Sequence, residues 1–238
     1  MSVEIKRGNI FTSQAQTLVN TVNCVGVMGA GIALECRLRY PHMFEVYQGH
    51  CTRREMAPGK LSLYKGSRKD NGDIDDKWVL NFPTKVHWKF PSKMEWLVQG
   101  LDKFVAVYQA KGITSIAFPV LGSLNGGLNP DDVLDVMQKK LSVCEIPIEI
   151  YQYQADASDD LYNDFKAYFQ THADTIGEET GIRRDRLAKV SAALESPEIC
   201  QLNQLAKAKG IGVVTLEKVF SIMRRSGGRV EQGYLTIA

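Results

Sequence analysis

Two glycine-rich segments constrain the fold of this chain more than any other feature of its sequence. One spans residues 23–33 and the other spans residues 119–129. Each follows an apolar run that indicates a buried strand, and each precedes a helical pattern. Strands that alternate with helices in this way predict a three-layer α/β domain. Ligands of such domains bind beyond the carboxyl ends of the strands, where we expect both segments to lie.

The rest of the sequence up to residue 172 continues this alternation. Ser92 is expected to cap a long amphipathic helix, and Gly112 to end it. Asn129, followed by Pro130 and two aspartates, is a typical helix start. Strands are predicted over residues 3–6, 17–22, 60–65, 77–82, 115–120 and 146–153, and helices over residues 29–40, 44–54, 93–111 and 160–172, with one more opening at residues 129–132.

Composition and charge exclude several classes of protein. The 238 residues are 44% apolar and 24% charged, which excludes a disordered chain, a collagen-like repeat and a coiled-coil rod. With 29 basic and 27 acidic residues, the net charge of +2 excludes a strongly basic nucleic-acid coat, although not a local basic site. Cysteines and histidines are scattered, so we expect no disulfide framework, metal site or cofactor. The absence of a signal peptide or membrane span predicts a cytoplasmic protein.

The two glycine-rich segments have a chemical interpretation as well as a structural one. Glycines allow a backbone to approach a phosphate, and a helix N-terminus presents unpaired N–H groups. Asn20 and Asn23 end the strand before the first segment, and their carboxamides suit ribose hydroxyls or a base edge. A tight turn without a ligand explains one such segment equally well. Two segments at matched positions favour a diphosphate held between them.

A third motif, residues 81–89, also follows a strand and reads Asn-Phe-Pro-Thr-Lys-Val-His-Trp-Lys. Lys85 suits a phosphate site as a neutralising charge, or acts as a nucleophile if burial lowers its pKa. His87 is either a packing residue or a general acid or base. Trp88 and Lys89 add an aromatic ring and a positive charge, so these three residues are candidates for contact with DNA.

Together, these three motifs resemble the macrodomain family, which binds ADP-ribose. The run from Asn81 to Lys85, followed by His-Trp-Lys, more specifically resembles DarG-like DNA ADP-ribosyl glycohydrolases, antitoxins that are paired with a DarT-type toxin. The resemblance covers residues 1–155 and extends at most to residue 170. It implies a mixed sheet of about six strands between helices, and ADP-ribose or ADP-ribosylated DNA as the ligand.

The resemblance also implies roles for individual residues. Lys85 matches the lysine that these enzymes need for glycohydrolysis, where it acts at the anomeric carbon of the distal ribose. Asn23 is expected to orient that ribose and, with Lys85, to form the catalytic pair. The expected ADP-ribose-binding residues are Asn20, Gly29, Ala30, Gly31, Ile32, Gly122, Ser123, Leu124, Asn125, Gly126 and Gly127.

The second loop departs from the family pattern. Gly126 occupies the place of an aspartate that assists the lysine in a related type of glycohydrolase, which argues against a two-step mechanism by lysine and aspartate. Leu124 stands where DarG-like loops have glycine. Three functions therefore remain open: a DNA ADP-ribosyl glycohydrolase antitoxin, a macrodomain that binds ADP-ribose without cleaving it, and an antitoxin that neutralises its toxin mainly by protein contact.

The chain is expected to divide near residue 172 into a macrodomain (1–172) and a helical C-terminal domain (173–238). The spacing from Leu205 to Val219 predicts a helix-turn-helix with Gly210 at the turn. A hairpin over residues 227–237 would complete a winged-helix-like module. A basic cluster around Arg183 favours phosphate contact, whereas the family resemblance favours toxin binding.

Overall fold

The computed structural model describes residues 3–66 and 73–225 and contains a six-stranded sheet with the order β1-β6-β5-β2-β4-β3. Five strands are parallel, and β3 pairs antiparallel with β4. The mixed, six-stranded sheet expected from the sequence is therefore confirmed. The strands are β1 (Val3–Gly8), β2 (Thr17–Val22), β3 (Ser62–Tyr64), β4 (Trp78–Pro83), β5 (Ile116–Pro119) and β6 (Ile148–Tyr153).

Within residues 3–66 and 73–225, seven α-helices flank the sheet, and two short 3-10 helices span Ile10–Thr12 and Leu202–Lys207. Gly112 ends α3 in the left-handed conformation, as expected from the sequence. Asn129 caps α4 by accepting bonds from the N–H groups of Asp131 and Asp132. The helices are α1 (Gly31–Arg39), α2 (Pro41–Thr52), α3 (Met94–Lys111), α4 (Pro130–Leu141), α5 (Tyr162–Thr180), α6 (Arg184–Leu194) and α7 (Val213–Arg225).

The prediction that Ser92 caps α3 is wrong. The N-cap position belongs to Lys93, whose side chain makes no capping bond. Ser92 is instead buried, and its backbone N–H donates to the carbonyl of Gly126 over 2.9 Å. The residue therefore belongs to the packing beneath the second glycine-rich loop.

Two apolar clusters sandwich the sheet. Helices α3 and α4 cover one face, against side chains such as Val19 and Phe118. Helices α1 and α2 and the C-terminal helices cover the other face, against Leu18 and Ala117. Neighbouring residues of β2 thus pack on opposite faces, as strand geometry requires. No helix in residues 3–66 and 73–225 is long and apolar enough to cross a membrane.

The C-terminal helices pack against α1 and share its apolar cluster. Arg37 of α1 forms an ion pair with Glu217 of α7 at 2.6 Å, and the N–H of Leu202 donates to Asp159 over 2.9 Å. His172, at the predicted boundary, has a non-helical backbone (φ −125°) and kinks α5. The division near residue 172 remains a prediction.

The predicted helix-turn-helix has a 3-10 helix, Leu202–Lys207, as its first element and α7 as its second. Ile211, Leu216 and Val219 are buried, as their spacing predicted. The hairpin predicted over residues 227–237 lies outside the described residues, so the winged-helix interpretation also remains a prediction.

Candidate functional site

The three motifs meet at one edge of the sheet. Strand β2 lies between β5 and β4 and pairs parallel with both, so the carboxyl ends of all three strands point the same way. The first glycine-rich loop follows β2, the lysine motif follows β4, and the second glycine-rich loop follows β5. The parallel register therefore brings three distant stretches of sequence together at this edge of the sheet.

Asn125 lies at the junction of the three motifs. The Nζ of Lys85 donates a hydrogen bond to the carbonyl oxygen of Asn125. A Cβ atom at Gly31 would lie 3.0 Å from the Nδ2 of Asn125, so this side chain closely approaches the start of α1. Gly31 also has a φ of +56°, a backbone conformation in which any other residue is strained, so this conformation favours glycine there.

Lys85 is partly withdrawn from water. Burial lowers the pKa of its amine below the ordinary value of 10.5, because the charged form loses hydration. The thiol of Cys24 donates to the carbonyl of Lys85 over 3.3 Å, and the N–H of Cys24 donates to the carbonyl of Val86 over 3.1 Å. The first loop thus holds the lysine backbone in place.

The carboxamide of Asn23 organises the first loop. Its Oδ1 accepts hydrogen bonds from the N–H groups of Val25 (3.0 Å) and Val27 (3.3 Å), and its Nδ2 donates to the carbonyl of Val27. Tyr47 of α2, which is fully buried, donates its hydroxyl to the Asn23 carbonyl at 2.8 Å and lies 3.1 Å from Oδ1. Sequence reasoning missed Tyr47, because it belongs to no motif. The catalytic role of Asn23 remains a prediction.

Asn20 is placed deeper than its motif suggested. It is fully buried in β2, directly opposite Asn81 of β4, and its Nδ2 donates to the Oδ1 of Asn81 over 2.9 Å. Its own Oδ1 is buried with no hydrogen-bond partner among the described residues. The pair lies below the loops, so these side chains support the floor of the site.

The first loop presents its backbone openly at the start of α1. Gly29, Ala30 and Gly31 are exposed, whereas Ile32 is half-buried against the core. The N-cap residue, Ala30, provides no side-chain capping bond. The positive end of the α1 dipole is thus exposed, with an uncapped first turn. The N-terminus of α4 differs, because Asn129 already caps it.

The second loop is a tight turn packed on Ser92. The N–H of Leu128 donates to the carbonyl of Gly122 over 3.1 Å, and the hydroxyl of Ser123 donates to the carbonyl of Val120 over 2.9 Å. A Cβ at Gly126 would lie 2.2 Å from the Gly122 oxygen, so this conformation excludes any side chain there. Leu124 is 73% exposed, and Gly127 has open space around it.

The predicted DNA-contact residues lie together on an exposed turn beside Lys85. The Nδ1 of His87 accepts the N–H of Lys89 at 3.2 Å, which places the proton of a neutral imidazole on Nε2. The rings of His87 and Trp88 stack at 5.5 Å, and the Nζ of Lys89 lies 5.1 Å from the centroid of Trp88. No group of three metal-ligating side chains occurs in the part of the chain that the structure describes.

Comparison with known families agrees with this arrangement. The model of the Macro domain matches residues 19–137, half of the chain, including the first glycine-rich loop, Lys85 and the second loop. This chain belongs to the Macro domain family. Its macrodomain fold, a mixed sheet between layers of helices, follows the expectation from the sequence motifs.

Individual relatives are more specific. A DNA ADP-ribosyl glycohydrolase of Mycobacterium tuberculosis is 45% identical over 127 residues, which cover 53% of this chain and 35% of that protein. The solved macrodomain of Thermus aquaticus DarG is 35% identical, with a TM-score of 0.58, over 63% of this chain and 97% of that one. A structure of Thermosipho africanus DarTG in complex with ADP-ribose is 37% identical, with the same TM-score, over 63% of this chain and 42% of that one. This chain thus spans about a third of the length of its M. tuberculosis relative.

Proposed function

We propose that this protein is an ADP-ribosyl glycohydrolase that removes ADP-ribose from thymidine bases of DNA. The observation that carries the proposal is the position of Lys85, whose Nζ donates a hydrogen bond to the carbonyl of Asn125 in the second glycine-rich loop. In this proposal the uncapped start of α1 and the turn of the second loop bind the diphosphate, and the distal ribose lies beside Lys85. The names of the relatives support DNA as the modified substrate.

The lowered pKa of Lys85 favours its role as a nucleophile, because a larger fraction of the amine is neutral. Its nitrogen would form a bond to the anomeric carbon while the glycosidic bond to thymine breaks. The electron pair of that bond goes to the base, which takes up the proton that the amine loses as it bonds to carbon. Water then releases ADP-ribose from the lysine. As an electrostatic partner, the ammonium would instead promote direct attack by water.

The test is release of ADP-ribose from single-stranded DNA that carries ADP-ribosylated thymidine. We expect wild type to be active and Lys85→Ala to lose at least a hundredfold in rate while still binding ADP-ribose. Lys139→Ala, which removes an exposed lysine of α4, is the matched control. Unchanged hydrolysis by Lys85→Ala would refute the role of this residue.

The second candidate function is binding of ADP-ribose without cleavage, and the glycine at position 126 favours it. The position has no room for the carboxylate that assists the lysine in a related type of glycohydrolase. Tight binding of ADP-ribose by wild type, without release from modified DNA, would establish this alternative.

We further propose that the protein is a cytoplasmic antitoxin to a DarT-type toxin, a DNA ADP-ribosyltransferase. The likeness to Thermosipho DarTG supports this pairing, and all five cysteines are free thiols, which suits a reducing compartment. The C-terminal helices are either a DNA-contact module or the surface that binds the toxin. Toxin neutralisation by Lys85→Ala would indicate protein contact rather than hydrolysis.

A further inference from the structure

An exposed apolar surface lies directly beside Lys85. It consists of residues 86–90, here called the aromatic rim. Val86 is 46% exposed, Trp88 is 50% exposed and Phe90 is 62% exposed. Phe90 is the most exposed aromatic side chain in residues 3–66 and 73–225. Contiguous apolar side chains on a surface mark a place where another molecule binds.

The aromatic rim is held in one conformation before any ligand binds. The N–H of Phe90 donates to the carbonyl of His87 over 3.2 Å, and the N–H of Lys89 donates to the imidazole of the same residue. The ring of His87 lies 5.5 Å from each of the rings of Trp88 and Phe90. A preformed surface of this kind loses little conformational entropy when a ligand stacks on it.

The charge around the rim indicates the chemistry of its partner. Lys85, Lys89 and Lys93 are interleaved with the aromatic residues, and the sequence has no aspartate or glutamate between Lys77 and Met94; the next acidic residue, Glu95, lies 3.8 Å from the Nζ of Lys93. Aromatic faces combined with positive charges suit a strand that carries phosphates and exposes its bases. A duplex keeps its bases stacked inside, so a single strand fits this surface best.

We propose that the aromatic rim is a stacking platform for the nucleotides that flank the modified base in single-stranded DNA. The proposal rests on the proposed glycohydrolase function and extends its substrate beyond the ADP-ribose group. Phe90 is the principal platform, because it is more exposed than Trp88, and His87 meets its ring at a tilt of 50°, whereas His87 stacks on Trp88 at 25° and the ammonium of Lys89 lies near that ring. The flanking phosphates lie against the lysines.

The test compares two substrates of different length: a single-stranded oligonucleotide with one ADP-ribosylated thymidine, and ADP-ribosylated thymidine alone. We expect Phe90→Ala to lower kcat/KM for the oligonucleotide about 5- to 150-fold, the range for loss of one base–aromatic stack. Hydrolysis of the modified nucleoside and affinity for ADP-ribose should stay unchanged. Phe90→Trp should retain the wild-type rate, because it preserves an aromatic face.

A matched control is Val143→Ala, which removes a side chain of similar exposure (66%) beyond the end of α4. Equal losses on both substrates in Phe90→Ala would overturn the proposal, because the residue would then act on the pocket itself. Unchanged oligonucleotide hydrolysis in both Phe90→Ala and Trp88→Ala would also overturn it. Loss of toxin neutralisation by Phe90→Ala or Trp88→Ala with unchanged hydrolysis would also overturn the proposal, because the rim would then be a protein-binding surface.

The two proposals fail in different ways. If wild type hydrolyses neither substrate, the glycohydrolase function fails. The rim is then tested by the affinity of the full chain for an unmodified single-stranded oligonucleotide. Weaker binding by Phe90→Ala than by Val143→Ala would support the platform, and equal binding would refute it.

Discussion

Tyr47→Phe tests whether the hydroxyl of Tyr47 holds the first loop in its binding conformation. This hydroxyl donates to the carbonyl of Asn23 at 2.8 Å inside the protein. Burial raises the pKa of Tyr47, so the hydroxyl remains a donor at every physiological pH. Its loss removes a donor from a buried carbonyl, which costs about 1–3 kcal/mol of unfolding free energy.

The matched control is Tyr40→Phe. Tyr40 is equally buried, but its hydroxyl donates to Asp75 at 3.0 Å rather than to a loop of the site. We expect both variants to lose similar unfolding free energy in urea, but only Tyr47→Phe to bind ADP-ribose more weakly. If about 1–2 kcal/mol of the lost energy had held the loop, the affinity falls about 5- to 30-fold.

Calorimetric titration of ADP-ribose into both variants decides the question. Equal affinities of Tyr47→Phe and wild type for ADP-ribose would refute the reasoning, because the loop would then keep its conformation without the hydroxyl. A loss of affinity in Tyr40→Phe as large as that in Tyr47→Phe would also refute it, since general destabilisation would explain both results.

Two further predictions concern the second loop and the buried charges. Gly126→Asp should lower the unfolding free energy by about 1–3 kcal/mol, because the new Cβ meets the Gly122 oxygen, and it should not speed up hydrolysis. A faster release of ADP-ribose by this variant than by wild type would contradict the prediction. Glu35 of α1 is fully buried and accepts a hydrogen bond from Arg39 over 2.8 Å. Burial outweighs this partner and raises the pKa of Glu35 to about 7, so between pH 4.5 and 7 the folded protein holds a proton that the unfolded chain has released, and this carboxyl lowers stability as pH rises. Between pH 5 and pH 8, the unfolding free energy measured in urea should decline less in Glu35→Gln than in wild type. An equal decline in both proteins would contradict this prediction.

The sequence alone determined the succession of strands and helices and identified the three motifs of the candidate site. Apolar periodicity predicted all six strands, because alternation of side chains is a local property of the backbone. The start of α4 at Asn129 and the end of α3 at Gly112 were also predictable, since both depend on neighbouring residues. The motifs around Lys85 and the two glycine-rich loops identified the family for the same reason.

The tertiary structure decided what the individual side chains do. Asn20 pairs with Asn81 in the core, although its motif suggested a ribose contact, because the register of β2 and β4 sets the two carboxamides side by side. Ser92 packs under Gly126 rather than capping a helix, and Tyr47 reaches Asn23 from another element. These contacts join residues 24 to 61 positions apart. Local patterns carry no information on such pairs, which form only when the strands align and the helices pack against them.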